Sequence, residues 1–174
     1  MKRSSPGNAL AVLLLVVVLL LIIAPFTEPP GTFRDLDGTV GVMDHIDLWS
    51  SVNLLAGAAY AFGDMFCHQI LSRSFILNGS QVAICVRDLA TMAGMVAGLF
   101  AMNLISEETK KERRFLFAAV LLLVPAVIDW TVQFATGFDS AVLRVITGTL
   151  LGVAFAMFIE LLIQRMFNTA FEKK

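Results

Sequence analysis

Four long apolar runs dominate the pattern of hydrophobic and polar positions along the chain. They cover residues 9–26, 83–105, 115–136 and 141–163. Each run is close to the ~20 residues that a helix needs to cross a ~30 Å hydrocarbon layer. Helices satisfy their own backbone hydrogen bonds, which lipid cannot do. The pattern therefore predicts an all-α, polytopic integral membrane bundle with four strong transmembrane helices.

A fifth segment, residues 48–66, is long enough to span a membrane but is more polar, since it contains Ser50, Ser51, Asn53 and Asp64. Two arrangements remain open. Either this segment is an interfacial or re-entrant helix on the outer side, or it is a fifth spanning helix and the N-terminus lies outside. The first run is expected to stay as an uncleaved anchor, because no small-x-small cleavage site follows its long apolar core.

Basic residues predict the orientation of the helices. Lysine and arginine cluster at residues 110–114 and again at residues 165–174, and such clusters favour the cytoplasmic side. Residues 106–114 are then a cytoplasmic loop, and the C-terminus is cytoplasmic as well. Residues 27–47 form an outer loop and residues 67–82 an extracytoplasmic hairpin. We expect one membrane domain, residues 1–174, in a prokaryotic plasma membrane.

Composition narrows the class of protein further. The chain is 57% hydrophobic and 16% charged, whereas a soluble domain has about 45–50% apolar and about 25% charged residues. A net charge of −1 offers no basic field for phosphates, which excludes a nucleic-acid partner. Two cysteines are too few for a disulfide scaffold. The expected partner is the lipid bilayer, and a homo-oligomer stays open.

Candidate chemistry is concentrated between residues 67 and 88. Asn78-Gly79 predicts a tight turn with positive φ, which would bring Cys67 and His68 back towards Cys85. Cys85 and Asp88 are three residues apart and share a helical face. Two thiols, an imidazole and a carboxylate form a candidate ligand set for a zinc-like divalent metal. A disulfide or redox pair between the two cysteines, or two inert packed thiols, are the alternatives.

Charged residues inside the predicted spans need a partner or a purpose, because each costs about 2.5–3.5 kcal/mol on insertion scales. Counted at ~1.5 Å per residue, those near the outer helix ends lie at a similar depth. We therefore expect one outward-facing polar pocket beneath the thiols. Its expected lining is Gln69, Arg73, Arg87, Asp129, Gln133 and Arg144. The structural alternative is a set of ion pairs, such as Asp129 with Arg144, that only fixes helix register.

Several pieces of the sequence resemble the signature of a family of small prokaryotic multi-pass membrane proteins, frequent in archaea. The pieces are Cys67-His68-Gln69, Arg73-Ser74-Phe75, Asn78-Gly79, Cys85-Val86-Arg87-Asp88, Asp129-Trp130 with Gln133, and Arg144 with Thr147-Gly148 and Gly152. The resemblance covers roughly residues 60–152. Many bacterial members have a cysteine at the position of Asp88. The absence of that third thiol here weakens a Cys-x-x-Cys redox or thiolate-rich zinc interpretation, although a carboxylate can still be a ligand. It implies a membrane fold and no reaction.

Two kinds of function then remain open, with a structural assembly subunit as a third. The first is the handling of a metal ion or small solute by the residues of the polar pocket. The second is a membrane enzyme that performs thiol or metal-assisted chemistry on a lipid-soluble substrate such as a quinone or polyprenyl lipid. In the second case Arg87 and Arg144 would hold anionic groups.

Overall fold

The structure is a computed structural model that describes residues 6–102 and 112–172. These residues are mostly helical. The helices are α1 (Pro6–Ile23), α2 (Ile46–Ser51), α3 (Leu54–Phe66), α4 (Val86–Met102), α5 (Glu112–Thr136) and α6 (Ala141–Glu172). Two short antiparallel strands, β1 (Ile76–Leu77) and β2 (Ser80–Gln81), form a hairpin between α3 and α4.

Among the described residues, three helices are long and apolar enough to cross a membrane. They are Pro6–Phe26, Arg113–Thr136 and Ala141–Ile163, and they coincide with three of the four predicted runs. Large apolar side chains such as Leu13, Phe117 and Phe134 remain exposed on them. This is the surface expected of helices that face lipid rather than water.

The remaining predicted run, residues 83–105, is helical over a shorter length. Its helix α4 begins at Val86 rather than at residue 83. Cys85 is the N-cap residue, and its carbonyl accepts the first helical hydrogen bond, from the Leu89 amide, at 3.0 Å. The described part of α4 has 17 residues, about 26 Å at ~1.5 Å per residue. The predicted end at residues 103–105 and the loop residues 106–111 lie outside the described residues, and α5 has begun by Glu112.

Residues 48–66 differ from the single helix that was predicted. The segment is divided between α2 and α3, with Val52 in an extended conformation. Asn53 caps α3, since its side-chain oxygen accepts the amides of Leu55 and Ala56 at 3.0 Å each. A helix of 13 residues is about 20 Å long, which is short of the ~30 Å hydrocarbon layer.

The chain divides into two compact units, which we name by their place in the sequence. The middle unit is Val16–Leu89, and the terminal unit comprises Met1–Leu15 and Ala90–Lys174. In the terminal unit, α4 and α6 pack with their backbones in contact. A Cβ atom on Gly94 would collide with the backbone of Thr149, and one on Gly152 with the carbonyl of Thr91. Close helix approach at Gly152, expected from the sequence, is therefore present.

In the middle unit, the hairpin and the segment between α1 and α2 enclose an aromatic core. Asn78 and Gly79 have φ values of 50° and 69°, so the turn predicted from these residues is confirmed. The Gln81 amide donates to the Phe33 carbonyl at 2.8 Å, and the Tyr60 hydroxyl donates to the Gln81 carbonyl at 2.6 Å. The rings of Phe33 and Tyr60 stack at 3.8 Å between centroids. The hairpin is thus fixed against α3.

Candidate functional site

Two thiols and one carboxylate meet in the middle unit. Ligand atoms of Cys67, Cys85 and Asp88 all lie within 4.8 Å of one another, and we call these three residues the cysteine cluster. Cys67 ends α3, Cys85 directly precedes α4, and Asp88 lies in the first turn of α4. The Cys85 amide donates to the Cys67 sulfur at 3.2 Å, and the Cys85 thiol donates to Asp88 Oδ2 at 3.1 Å. The turn at residues 78–79 brings these distant residues together.

Gln69 holds the two ends of the cluster in position. It is fully buried, and its Nε2 donates to the carbonyl of Ala83 at 2.9 Å and to that of Tyr60 at 3.2 Å. The segment after α3 is thereby tied to the segment before α4. Gln69 has a φ of 49°, a conformation that costs a non-glycine side chain energy and persists only where the surroundings enforce it. Gln69 therefore acts on the cluster by positioning its backbone.

The surroundings of Cys67 favour its thiolate. Hydrogen bonding with the Cys85 side chain lowers the pKa of Cys67, and the backbone amides of Gln69 and Cys85 lower it as well, while burial and the charge of Asp88 oppose them. The same hydrogen bond, burial and the charge of Asp88 raise the pKa of Cys85, so Cys67 is the thiol that ionises first. The N-terminus of α4 also favours negative charge. Since the thiolate is the form that binds metals and attacks electrophiles, the cluster is suited to either role. Both cysteines are free thiols in this structure, although their sulfur atoms are near neighbours.

His68 does not join the cysteine cluster. The backbone of Cys67 is extended, with φ −140° and ψ 147°, so consecutive side chains point to opposite sides. Cys67 is buried, whereas His68 is exposed and places its Nδ1 2.9 Å from the Gly38 carbonyl. Of the two predicted arginines nearby, Arg73 is exposed at the end of a short 3₁₀ helix and Arg87 is half-buried in α4.

A second group of predicted residues forms a network between α5 and α6 in the terminal unit. Arg144 is 3% exposed and donates to both oxygens of Asp139, at 2.5 Å and 2.9 Å. It also donates to Gln133, whose amide donates to Asp129, both at 2.8 Å. Thr147 donates to the other Asp129 oxygen at 3.1 Å. The arginine therefore reaches Asp129 through Gln133 and has an ion pair with Asp139.

Sequence reasoning missed three acidic residues that the structure makes prominent. Asp139 lies in the short connection before α6, and its only signal was a spacing of five residues from Arg144. Asp64 is fully buried and accepts hydrogen bonds from Trp49 Nε1 at 2.9 Å and from the His45 amide at 3.1 Å. Glu160 is 5% exposed in α6. It was detectable as the single acid inside the apolar run 141–163.

The single pocket predicted from the sequence would draw on both units. Gln69, Arg73 and Arg87 belong to the middle unit, and Asp129 and Arg144 to the terminal unit, as does Gln133. Each group is well defined by its own hydrogen bonds. Their union in one outward-facing pocket stays a prediction.

Apolar helices of spanning length and buried polar networks between helices define a helical integral membrane protein. The chain belongs to the family described as predicted membrane protein (DUF2085), whose profile matches residues 67–158. It is 25% identical over 114 residues to an uncharacterised protein of the archaeon Methanocaldococcus jannaschii, a match that covers 65% of this chain and 71% of that protein. No solved structure matches the chain significantly. The predicted membrane class is confirmed, and the detailed signature stays a prediction.

Proposed function

We propose that this protein binds a zinc-like divalent metal ion at the cysteine cluster and handles it at the membrane. The observation that carries the proposal is that three ligand atoms lie within 4.8 Å of one another. A tetrahedral ion with bonds of ~2.0–2.3 Å separates its ligands by roughly 3.3–3.8 Å. Small side-chain adjustments at Cys67, Cys85 and Asp88 are therefore sufficient to close the site. Two thiolates and a carboxylate then supply three negative charges to a doubly charged cation.

The proposal includes an orientation in the membrane. In it, α4 is a spanning helix in addition to the three long ones and is the second of the four in chain order. Residues 67–82 are extracytoplasmic and the C-terminus is cytoplasmic, in a prokaryotic plasma membrane. Lysine and arginine at residues 110–114 and 165–174 support this orientation. The cysteine cluster then lies at the outer end of α4 and receives its ion from outside the cell.

Cobalt substitution tests the proposal directly. Full-length protein in detergent, titrated with Co²⁺, is expected to show a thiolate-to-cobalt charge-transfer band in the near ultraviolet. Zn²⁺ is expected to abolish the band by competition. Cys85→Ser and Asp88→Asn should each weaken binding at least about tenfold, because each removes one ligand. Asp47→Asn is the matched control, since Asp47 is an acid in the first turn of α2 and should change nothing.

The two thiols also permit a different outcome, a reversible disulfide. Under that interpretation Cys67 and Cys85 oxidise in air and are recovered by a reductant, and Asp88→Asn still forms the disulfide. If reduced wild-type protein shows no charge-transfer band with Co²⁺, metal binding at the cysteine cluster is overturned. Thiols that are inert in air as well would leave the assembly-subunit alternative.

A membrane enzyme is the second candidate, favoured by two observations. Three protein ligands leave one coordination position open, as in catalytic zinc sites. The middle unit also contains an apolar cavity of about 230 Å³, with Leu21, Leu55 and Phe62 in its lining, which suits part of an isoprenoid chain. Filling it by Ala59→Phe is expected to abolish binding of a short-chain quinone without changing the cobalt spectrum. Equal quinone binding in the variant and the wild type would remove this candidate.

A further inference from the structure

A polar cavity lies in the middle unit, separate from the cysteine cluster. Its volume is about 440 Å³, and it is lined by Asp37, Asp44, His45 and His68, with Gly38 between them. We call it the histidine cavity. The chain contains two histidines in total, and both line this cavity although they are 23 residues apart. His68 comes to it because the extended backbone turns its side chain away from Cys67.

Both imidazoles are held through the same ring nitrogen. His45 Nδ1 lies 3.5 Å from Asp64 Oδ1, and His68 Nδ1 lies 2.9 Å from the Gly38 carbonyl. Each of these partners is a hydrogen-bond acceptor, so in the neutral imidazole they favour the tautomer with the proton on Nδ1, which leaves the Nε2 lone pair available. Histidines that bind metals almost always donate their other N–H to a carboxylate or a backbone carbonyl in this way.

The support behind His45 is rigid. Asp64 is fully buried, and its Oδ2 accepts the Trp49 indole N–H at 2.9 Å and the His45 amide at 3.1 Å. The side chain of His45 is itself 25% exposed, so it contacts buried Asp64 on one side and faces the cavity on the other. Asp44 is fixed as well, because its Oδ2 accepts the Thr39 amide at 2.6 Å.

Gly38 keeps the centre of this arrangement free of side-chain atoms. A Cβ atom there would lie 3.0 Å from Asp64 Oδ1 and 3.4 Å from Asp44 Oδ2. The two carboxylates and the His68 ring therefore converge on one backbone position. The described residues that line the cavity include Asp37 and Asp44 and no lysine or arginine, a lining that attracts cations.

We propose that the histidine cavity is a second metal site, free of thiol ligands, that takes a divalent transition-metal ion. The Nε2 atoms of His45 and His68 supply the imidazole ligands, Asp44 or Asp37 supplies a carboxylate, and water fills the remaining volume. Imidazole favours Zn²⁺, Cu²⁺, Ni²⁺ and Fe²⁺ over Ca²⁺ and Mg²⁺. This site is independent of the cysteine cluster, because the adjacent residues Cys67 and His68 face opposite sides.

The test uses the full chain with both thiols removed, as Cys67→Ser/Cys85→Ser. Isothermal titration with Zn²⁺ is expected to show one site, and Co²⁺ is expected to bind with weak visible bands and no thiolate charge transfer. Adding His45→Gln or His68→Gln should weaken Zn²⁺ binding at least about tenfold. Adding Asp35→Asn, an acid of the same loop outside the lining, should leave the affinity within about twofold.

A parallel measurement in the wild-type background covers the case in which the double serine variant does not fold. There, His68→Gln should remove one of two bound Co²⁺ ions while the thiolate charge-transfer band keeps its intensity. The inference is overturned if His45→Gln and His68→Gln both bind metal like their parent chain, or if the thiol-free chain folds and binds none. Loss of the charge-transfer band alone would count against the cysteine cluster and leave the histidine cavity intact.

Discussion

Replacing Asp64 by asparagine changes the protonation of His45 while keeping the shape of the side chain. Asp64 Oδ2 accepts two N–H groups, from Trp49 and from the His45 backbone, and Oδ1 faces His45 Nδ1 at 3.5 Å. In Asp64→Asn the amide oxygen can still accept the N–H groups of the Trp49 indole and the His45 backbone. The amide NH₂ then faces His45 Nδ1. Because Nδ1 must now accept a hydrogen bond, the imidazole proton moves to Nε2. An Nε2–H cannot ligate a metal.

The cost in stability follows from these contacts. A hydrogen bond to a charged group contributes about 1.5–3 kcal/mol and a neutral one about 0.5–1.5 kcal/mol. Two bonds that become neutral therefore cost about 2–3 kcal/mol. For a chain of this size each kcal/mol corresponds to roughly 2–4 °C, which gives a fall in Tm of roughly 4–12 °C. Zn²⁺ affinity of the thiol-free chain should fall at least about tenfold as well.

Trp49→Phe separates the two effects. It removes one hydrogen bond to Asp64, a comparable loss of about 1.5–3 kcal/mol, but leaves Asp64 to accept from His45 Nδ1. We expect thermal unfolding of both variants to shift similarly, while calorimetry shows weakened Zn²⁺ binding in Asp64→Asn alone. Equal Zn²⁺ affinity in Asp64→Asn and wild type would refute the reasoning about the tautomer. An unchanged Tm in both variants would refute the hydrogen-bond network.

Three further predictions concern the rest of the molecule. Because hydrogen bonding lowers the pKa of Cys67, thiolate absorbance of the metal-free protein should rise at lower pH in wild type than in Cys67→Ser; coincident titrations would contradict this. Gly94→Val should lower stability by about 1–3 kcal/mol through overpacking of α4 against α6, measured by thermal unfolding. Arg144→Met should cost about 2–3 kcal/mol, partly recovered by adding Asp139→Asn; no recovery would exclude their coupling.

The sequence carried enough information to bring together the three residues of the cysteine cluster, whereas His68, which was predicted as a fourth ligand, lies outside it. Asn78-Gly79 is a local signal with one dominant turn geometry, and Cys85 and Asp88 are related by helical spacing. Those two rules suffice to bring Cys67 near the start of α4. Whether His68 joins depends on the backbone of Cys67, which is extended because tertiary hydrogen bonds through Gln69 hold the segment. No local pattern reports such a constraint.

Helix ends show the same difference between local and tertiary information. Hydropathy located three helices of spanning length, since burial in lipid follows directly from apolar runs. It did not locate the break inside residues 48–66, where Asn53 caps α3 and also donates to the Thr27 carbonyl at 3.0 Å and to Glu28 Oε1 at 2.7 Å. The cap was visible as an asparagine, but its partners lie some 25 residues earlier in the chain.

The partner of Arg144 illustrates a third case. Spacing placed Asp129, Gln133 and Arg144 at one depth, which agrees with their shared network in the terminal unit. Asp139 was left out because it lies in a four-residue connection rather than on a helix face. In the structure its carboxylate is the closest acceptor to the guanidinium. Residues of short loops can bend back to helix ends, and helical periodicity does not describe them.

The family match bears differently on the two proposed metal sites. Residues 67–158 include all three ligands of the cysteine cluster, whereas His45, Asp44 and Asp37 precede the matched region. A metal function common to the family would therefore reside at the cysteine cluster. In other family members, the histidine cavity would bind a metal only where the segment equivalent to residues 37–45 has the same side chains. His68 is the proposed ligand of this cavity that lies inside the matched region. Because Cys67 and His68 face opposite sides of one extended segment, each site is expected to fill without the other, and the two affinities should be measurable separately.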